Sequence, residues 1–169
     1  MIAFRLITRE DVPLVHEWHQ RPHVKRWWTV RDTLEETEEH YVPTIDGSEP
    51  TDHYLALLDG EPFGMIQTYL VSDYPDHAAL IGEGEGTAGV DLYIADESLT
   101  GRGLGTELLR RFVEEIVFAH PETTAATADP DKRNIASIRA FEKAGFRIVR
   151  EFHDPEDDAP HLLVRRERS

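Results

Sequence analysis

Two stretches of this sequence bring together residue types that could do chemistry. The first is Asp91, a carboxylate inside the strand-like run 90–95, where β-branched and aromatic residues alternate with others. A carboxyl group among apolar neighbours either makes a structural hydrogen bond or serves a ligand. The second is Gly101-Arg102-Gly103-Leu104-Gly105, at the mouth of a segment in which Leu104, Leu108, Leu109, Phe112, Val113 and Ile116 recur at helical spacing. A glycine-rich turn in that place points backbone N–H groups and the positive end of the helix dipole outward, which suits phosphate. Glycine lets a pyrophosphate come close where a Cβ would block it. The same pattern also serves as a plain strand-to-helix connection. It is not a P-loop, because no Gly-Lys-Ser/Thr follows, and a dinucleotide fingerprint belongs after the first strand of a fold.

Other polar residues have two readings each. Asp129 precedes Pro130 and is either a turn-former or a ligand-facing carboxylate, and Asp76 is either a solvated loop residue or part of an acidic lid. Of the adjacent pair Trp27 and Trp28, one can enter a core while the other lies on the surface or walls a ligand. The nine histidines share no metal-ligand spacing, so no metal is expected. With no cysteine there is no disulfide, thiolate site or cysteine nucleophile, and any acyl transfer must be direct or use another residue.

At 169 residues and 40% hydrophobic content, the chain suits one domain, 1–169. No run reaches the ~18 to 20 apolar residues of a membrane span. The start Met1-Ile2-Ala3-Phe4-Arg5-Leu6 lacks the layout of a signal peptide, so a cytoplasmic protein is expected. A formal charge of −15 argues against nucleic acid and anionic membranes and fits a cationic small molecule. With only three lysines among eighteen basic residues, it equally fits a solubility or salt adaptation.

The elements that must position these residues follow in order. A strand over 3–8 runs into a capping-box pattern, Thr8 to Asp11, and a helix carrying Val12, Leu14, Val15 and Trp18. Residues 23–30 read as a polar connection and 33–45 as a second helix, with Glu35, Glu36, Glu38 and Glu39 solvated at its start. Strands over 53–58 and 63–71, the second carrying Gln67 and Tyr69, flank the turn Asp59-Gly60-Glu61-Pro62. Residues 72–86 read as a mobile acidic loop, suited to a lid. After the central strand and helix come a strand over 123–128, a helix over 134–144 burying Ile135, Ile138 and Phe141, and a hairpin of strands 146–152 and 162–166 around the acidic turn 154–158. The order β-α-α-β-β-β-α-β-α-β-β implies an α/β fold, a mixed, mostly antiparallel sheet of about seven strands with helices on both faces.

This order, the turn Thr100-Gly101-Arg102-Gly103-Leu104-Gly105 and the segment Asn134-Ile135-Ala136-Ser137-Ile138-Arg139-Ala140-Phe141-Glu142-Lys143-Ala144-Gly145-Phe146 resemble the fold and two signatures of the GCN5-related N-acetyltransferases (GNAT). Thr100 departs from the Gln or Arg that opens the first signature. The resemblance implies acetyl-CoA as cosubstrate, with its pyrophosphate on Arg102, Gly103, Leu104, Gly105 and Thr106. It implies a splayed strand whose main chain at Leu92 and Tyr93 receives the thioester, and a pantetheine arm beside Asn134, Ser137 and Phe141. The second signature usually has Tyr where Phe141 stands, so the acid often proposed to protonate the leaving thiolate is missing.

Pieces along nearly the whole chain are similar to the aminoglycoside 6'-N-acetyltransferases: Glu17-Trp18, Trp27-Trp28, Gly60-Glu61-Pro62-Phe63-Gly64 with Gln67, Gly89-Val90-Asp91, Gly103-Leu104-Gly105-Thr106, Asp129-Pro130 and Glu142-Lys143-Ala144-Gly145-Phe146. That resemblance implies Asp91 as the base for the amine, and Gln67, Asp76, Asp129 and one of Trp27 and Trp28 as the lining of a sugar site. It implies a monomer or homodimer acting on a cationic aminoglycoside. The alternatives are a siderophore-type N-acyltransferase for lysine or hydroxylysine, and a non-catalytic acyl-CoA-binding module.

Overall fold

The computed structural model describes all residues, Met1–Ser169. Seven strands form one sheet in the order β1-β2-β3-β4-β5-β7-β6: β1 Ile2–Leu6, β2 Thr51–Leu58, β3 Glu61–Leu70, β4 Thr87–Ile94, β5 Ala125–Ala128, β6 Arg147–Asp154 and β7 Ala159–Glu167. The pairs β1–β2, β5–β7 and β6–β7 are antiparallel, while β4–β5 is parallel. The chain divides into two compact units, one of Met1–Gln67 with Leu92–Thr100 and one of Thr68–Asp91 with Gly101–Ser169, so β3 and β4 each run from one unit into the other.

In the first unit the predicted capping box forms, with Asp11 accepting from the Thr8 amide at 2.8 Å. It launches α1, Val12–His19, whose Val12, Val15 and Trp18 are buried with Tyr41, Leu55, Met65 and Tyr93. The polar connection expected over 23–30 instead opens with a short helix, α2, Pro22–Lys25, because Pro22 presets the helical φ of its first position. Helix α3, Leu34–Ile45, is capped by Thr33, which accepts from the Glu36 amide at 3.1 Å, and its four early glutamates are exposed. The turn between β2 and β3 holds Asp59 and Gly60 at φ 51° and 89°, the left-handed pair that a two-residue hairpin needs.

In the second unit the stretch expected to be a mobile loop contains α4, Pro75–Ile81, closed by Gly82 at φ 72°. Seven residues are too few to show helical periodicity, yet Pro at the first position and Gly just past the end bracket them, and Ile81 is buried with Val71 and Leu163. Helix α5, Leu104–Glu115, buries Leu108, Leu109, Phe112 and Val113 as the spacing predicts. Helix α6, Ile135–Lys143, buries Ile138 and Phe141 but leaves Ile135 53% exposed, against expectation, since its first turn stands clear of the core. No helix is long and apolar enough to cross a membrane.

Candidate active site

The parallel ladder pairs Thr87 with Ala125, Ala88 with Ala126 and Gly89 with Thr127. Asp91 lies two residues along β4 from Gly89 and so shares its strand face, and Asp129 follows the end of β5 directly. The ladder itself ends at Gly89, although β4 runs on to Ile94. Both carboxylates are half-buried, and each feels the other. Burial, then the charge of Asp91, pushes the Asp129 carboxyl well above the ordinary carboxylate range; Asp154 and Asp157 add to this and His161 opposes it.

Tyr69 occupies the same face. A Cβ on Gly89 would fall 2.2 Å from its ring, so the phenol takes the space a side chain at 89 would fill. Its hydroxyl lies 3.2 Å from His77 Nε2, and its ring meets Tyr74 edge-on at 5.3 Å. Burial, followed by the charges of Asp91 and Asp129, keeps this phenol protonated. Asp76, in the first turn of α4, is exposed and lines a groove of about 550 Å³ with His77, Ala79, Leu80, Asp154, Pro155 and Glu156. Three of those seven side chains are carboxylates, so the groove suits a cation.

The glycine turn has the geometry of an anion cradle. Gly101 and Gly103 sit at φ 74° and 79°, where other residues are strained, and Gly103 caps α5. The first intrahelical bond runs from the Glu107 amide to the Gly103 carbonyl at 3.1 Å, which leaves the amides of Leu104, Gly105 and Thr106 pointing out of the helix. Arg102 beside them is exposed. These groups fit a pyrophosphate. At α6 the Asn134 side-chain oxygen accepts from the Ser137 amide at 3.2 Å and so serves as the helix cap. Phe141 is 3% exposed and packs edge-on against Phe146 at 5.1 Å.

The first unit holds the remaining candidates. Trp28 is half-buried, with its ring edge-on to Tyr93 at 4.9 Å, while the Arg26 guanidinium covers Trp27 at 4.6 Å. Thus Trp28 supports a core and Trp27 stands outside it, one of the divisions expected for the pair. The Tyr93 side chain is a core group, with its hydroxyl buried, so only its main chain can serve a ligand. Leu92 is half-buried. Gln67 approaches the buried His53 ring in a geometry short of a full hydrogen bond and slightly favours its protonation; burial overrides this and holds His53 at about 3.

Sequence reasoning passed over Tyr69, His77 and His161 as site residues. Tyr69 could have been found from Gly89, a gap in a β-strand that a neighbouring side chain must fill. His161 meets Asp157 four residues away and the Asp129 carbonyl 32 residues earlier, and no local pattern announces the second.

A strand that enters a glycine-capped helix, followed by a second parallel strand and an Asn-capped helix, is the arrangement that the GNAT resemblance implies. The chain matches the acetyltransferase (GNAT) domain over residues 8–154 and belongs to that family. It is 34% identical over 169 residues to the aminoglycoside N(6')-acetyltransferase type 1 of Klebsiella pneumoniae, covering 98% of this chain and 84% of that protein. It is 29% identical over 157 residues to a lysine N-acyltransferase of Mycolicibacterium paratuberculosis, covering 90% and 67%. Its fold is similar to the crystal structure of an aminoglycoside acetyltransferase in complex with coenzyme A and kanamycin, with a TM-score of 0.84, 33% identity, and 99% and 95% of the two chains covered.

Proposed function

We propose that this protein transfers the acetyl group of acetyl-CoA to the 6'-amine of aminoglycosides in a direct ternary complex, with residues 1–169 acting as one catalytic domain, as a monomer or homodimer in the cytoplasm. The observation that supports the reading is that Asp129 feels the charges of both Asp91 and Asp154, and Asp154 lines a groove with Asp76 and Glu156. An alkylammonium titrates at roughly 8 to 10 and cannot attack until it gives up a proton. Asp91 holds the cation and accepts or relays that proton. Asp129 assists: burial and then the charge of Asp91 raise its carboxyl, and an ammonium brought to the pair offsets that repulsion, so binding and ionisation reinforce each other.

Acetyl-CoA supplies a thioester whose acyl carbon bonds to the amine nitrogen as the carbon–sulfur bond breaks and sulfur leaves with the electron pair. The amides of Gly103, Leu104, Gly105 and Thr106, with Arg102, bind its pyrophosphate by the charge and geometry of the helix mouth. The resemblance assigns the main chain of Leu92 and Tyr93 to the thioester, Asn134, Ser137 and Phe141 to the pantetheine arm, and Trp27, Trp28 and Gln67 to the sugar.

A panel of amines assayed with acetyl-CoA for thiol release tests the reading. Aminoglycosides with a 6'-amine should be acetylated, with KM rising with ionic strength, because exposed charge pairs are screened. Analogues with a 6'-hydroxyl should not react at that position, and lysine derivatives should be poor substrates. Faster turnover of an N-hydroxylysine derivative than of every aminoglycoside would overturn the substrate and leave the family membership standing.

A further inference from the structure

His161 lies at the junction of two acidic segments and takes no part in the chemistry above. It is 8% exposed, on β7, and both ring nitrogens are engaged: Nδ1 is 2.6 Å from the Asp129 carbonyl oxygen and Nε2 is 2.7 Å from the Asp157 carboxylate. A carbonyl oxygen only accepts, and so does an ionised carboxylate. A neutral imidazole has one N–H and can satisfy one of them. To serve both, the ring must carry two protons, and the site therefore contains its own cation.

Every other charged group near the ring is acidic or already paired. From the end of β6, Asp154 stands 4.0 Å from Nε2. From the segment after β5, Asp129 and Asp131 have carboxylate oxygens within 4.8 Å of the ring nitrogens, and Asp131 is paired with Arg133 at 2.7 Å. The Phe152 ring lies at 5.9 Å. Burial alone would lower the proton affinity of His161, but the Asp129 carbonyl, Asp157 and Asp154 outweigh it and hold the imidazolium above its ordinary value.

The main chain secures the segment after β5 independently, since the Leu162 amide donates to the Pro130 carbonyl at 3.0 Å and the Lys132 amide to the Pro160 carbonyl at 2.9 Å. The turn closes where Asp154 pairs with Ala159 at the end of the β6–β7 ladder, and side chains tie the residues beyond that pair. Asp154 accepts from the Glu156 amide at 2.9 Å, Asp158 pairs on the exposed side with His153 at 2.8 Å, and the inward tie is Asp157 to His161. Asp154 at the end of β6, with Pro155 and Glu156 of the turn, forms one wall of the acidic groove. We propose that His161 is a positioning residue: its imidazolium clamps the β6–β7 turn beside Asp129 and so presets the carboxylate wall that receives a polycationic substrate. The inference deepens the proposed aminoglycoside reaction and rests on it for its substrate.

Two measurements test it, one with substrate and one without. In the first, His161→Leu removes both donors at similar size, and KM for a multiply charged aminoglycoside should rise about tenfold while kcat stays within about threefold, the split expected when ground-state binding is lost. His161→Gln, which keeps one donor, should fall between, and circular dichroism with thermal melting identifies any variant that has lost its fold. In the second, ¹⁵N resonances of the His161 ring are followed against pH in the wild type and in Asp157→Asn, with no substrate present. The wild-type ring should stay doubly protonated above the ~6.5 of an ordinary histidine, amide shifts over residues 154–158 should move with it, and Asp157→Asn should lower its titration. A His161 ring that titrates at or below 6.5 and ignores Asp157→Asn overturns the clamp, as does an unchanged KM in folded His161→Leu. If wild type acetylates no aminoglycoside, the substrate reading fails, and the ring titration still decides the clamp.

Discussion

The ring of Tyr69 occupies the volume that a side chain at position 89 would need, 2.2 Å from where the Cβ of any residue but glycine would sit. Gly89 thereby brings a phenol onto the face of β4 that carries Asp91 two residues on. Gly89→Ala must drive the ring from its contacts with His77 and Tyr74, and overpacking of this kind costs about 1–3 kcal/mol. At about 2–4 °C per kcal/mol for a chain of this size, the melting temperature should drop measurably. Tyr69→Phe, which keeps the ring, should melt close to wild type. A Gly89→Ala variant with wild-type melting temperature and activity would contradict the packing.

Asp91→Asn keeps shape and removes charge and basicity, so turnover should fall by ~10² or more, the scale of a positioned base. Coenzyme A affinity, measured by calorimetry, should hardly change. Turnover near the wild-type rate across the pH range would make Asp91 structural and place the base elsewhere.

Gly103→Val tests the cradle. Nothing in the protein lies within 4 Å of a Cβ there, so the damage comes from φ 79°, which a β-branched residue resists, and from the Cβ meeting the bound pyrophosphate. The dissociation constant for acetyl-CoA should rise strongly while the aminoglycoside constant holds. Unchanged acetyl-CoA affinity in a folded variant would remove the pyrophosphate from this turn.

His19 and His53 set the acid limit of stability. Burial, with the neighbouring charge of His40, lowers them to about 4 and about 3. The unfolded chain takes up these protons near 6.5 and the folded chain refuses them, so stability falls as pH drops below 6.5 until the folded rings titrate at about 4 and 3. Each ring contributes a slope of up to about 1.4 kcal/mol per pH unit. Asp129 acts in the opposite sense, because its raised folded value favours the folded state as pH falls toward the carboxylate range. Urea unfolding from pH 7 to 4.5 should therefore show a shallower loss in His53→Leu than in wild type and a steeper one in Asp129→Asn.

Much of the framework was legible because it is written in local chemistry. The Thr8 capping pattern, the Asp59–Gly60 turn and the apolar stripe of α5 all use neighbours a few residues apart, and all appear where expected. The second and fourth helices were missed because four and seven residues span too few turns to repeat a pattern. At the site, Asp91 stood out as a charge in an apolar strand. Its nearness to Asp129 depends on how β4 and β5 come together, and the contact of His161 with the Asp129 carbonyl spans 32 residues; a single line of sequence encodes neither.

Phe141 carries a consequence for how isotopic solvent should register in the rate. Buried and stacked edge-on against Phe146, it can neither donate a proton nor bring in water. In the proposed cycle, position 141 then provides no acid for the departing sulfur, and the protein handles a single proton, the one taken from the amine. Reaction velocity plotted against the deuterium fraction of the water should follow a straight line, whereas an enzyme with a tyrosine at this place and two protons in flight would bow it downward.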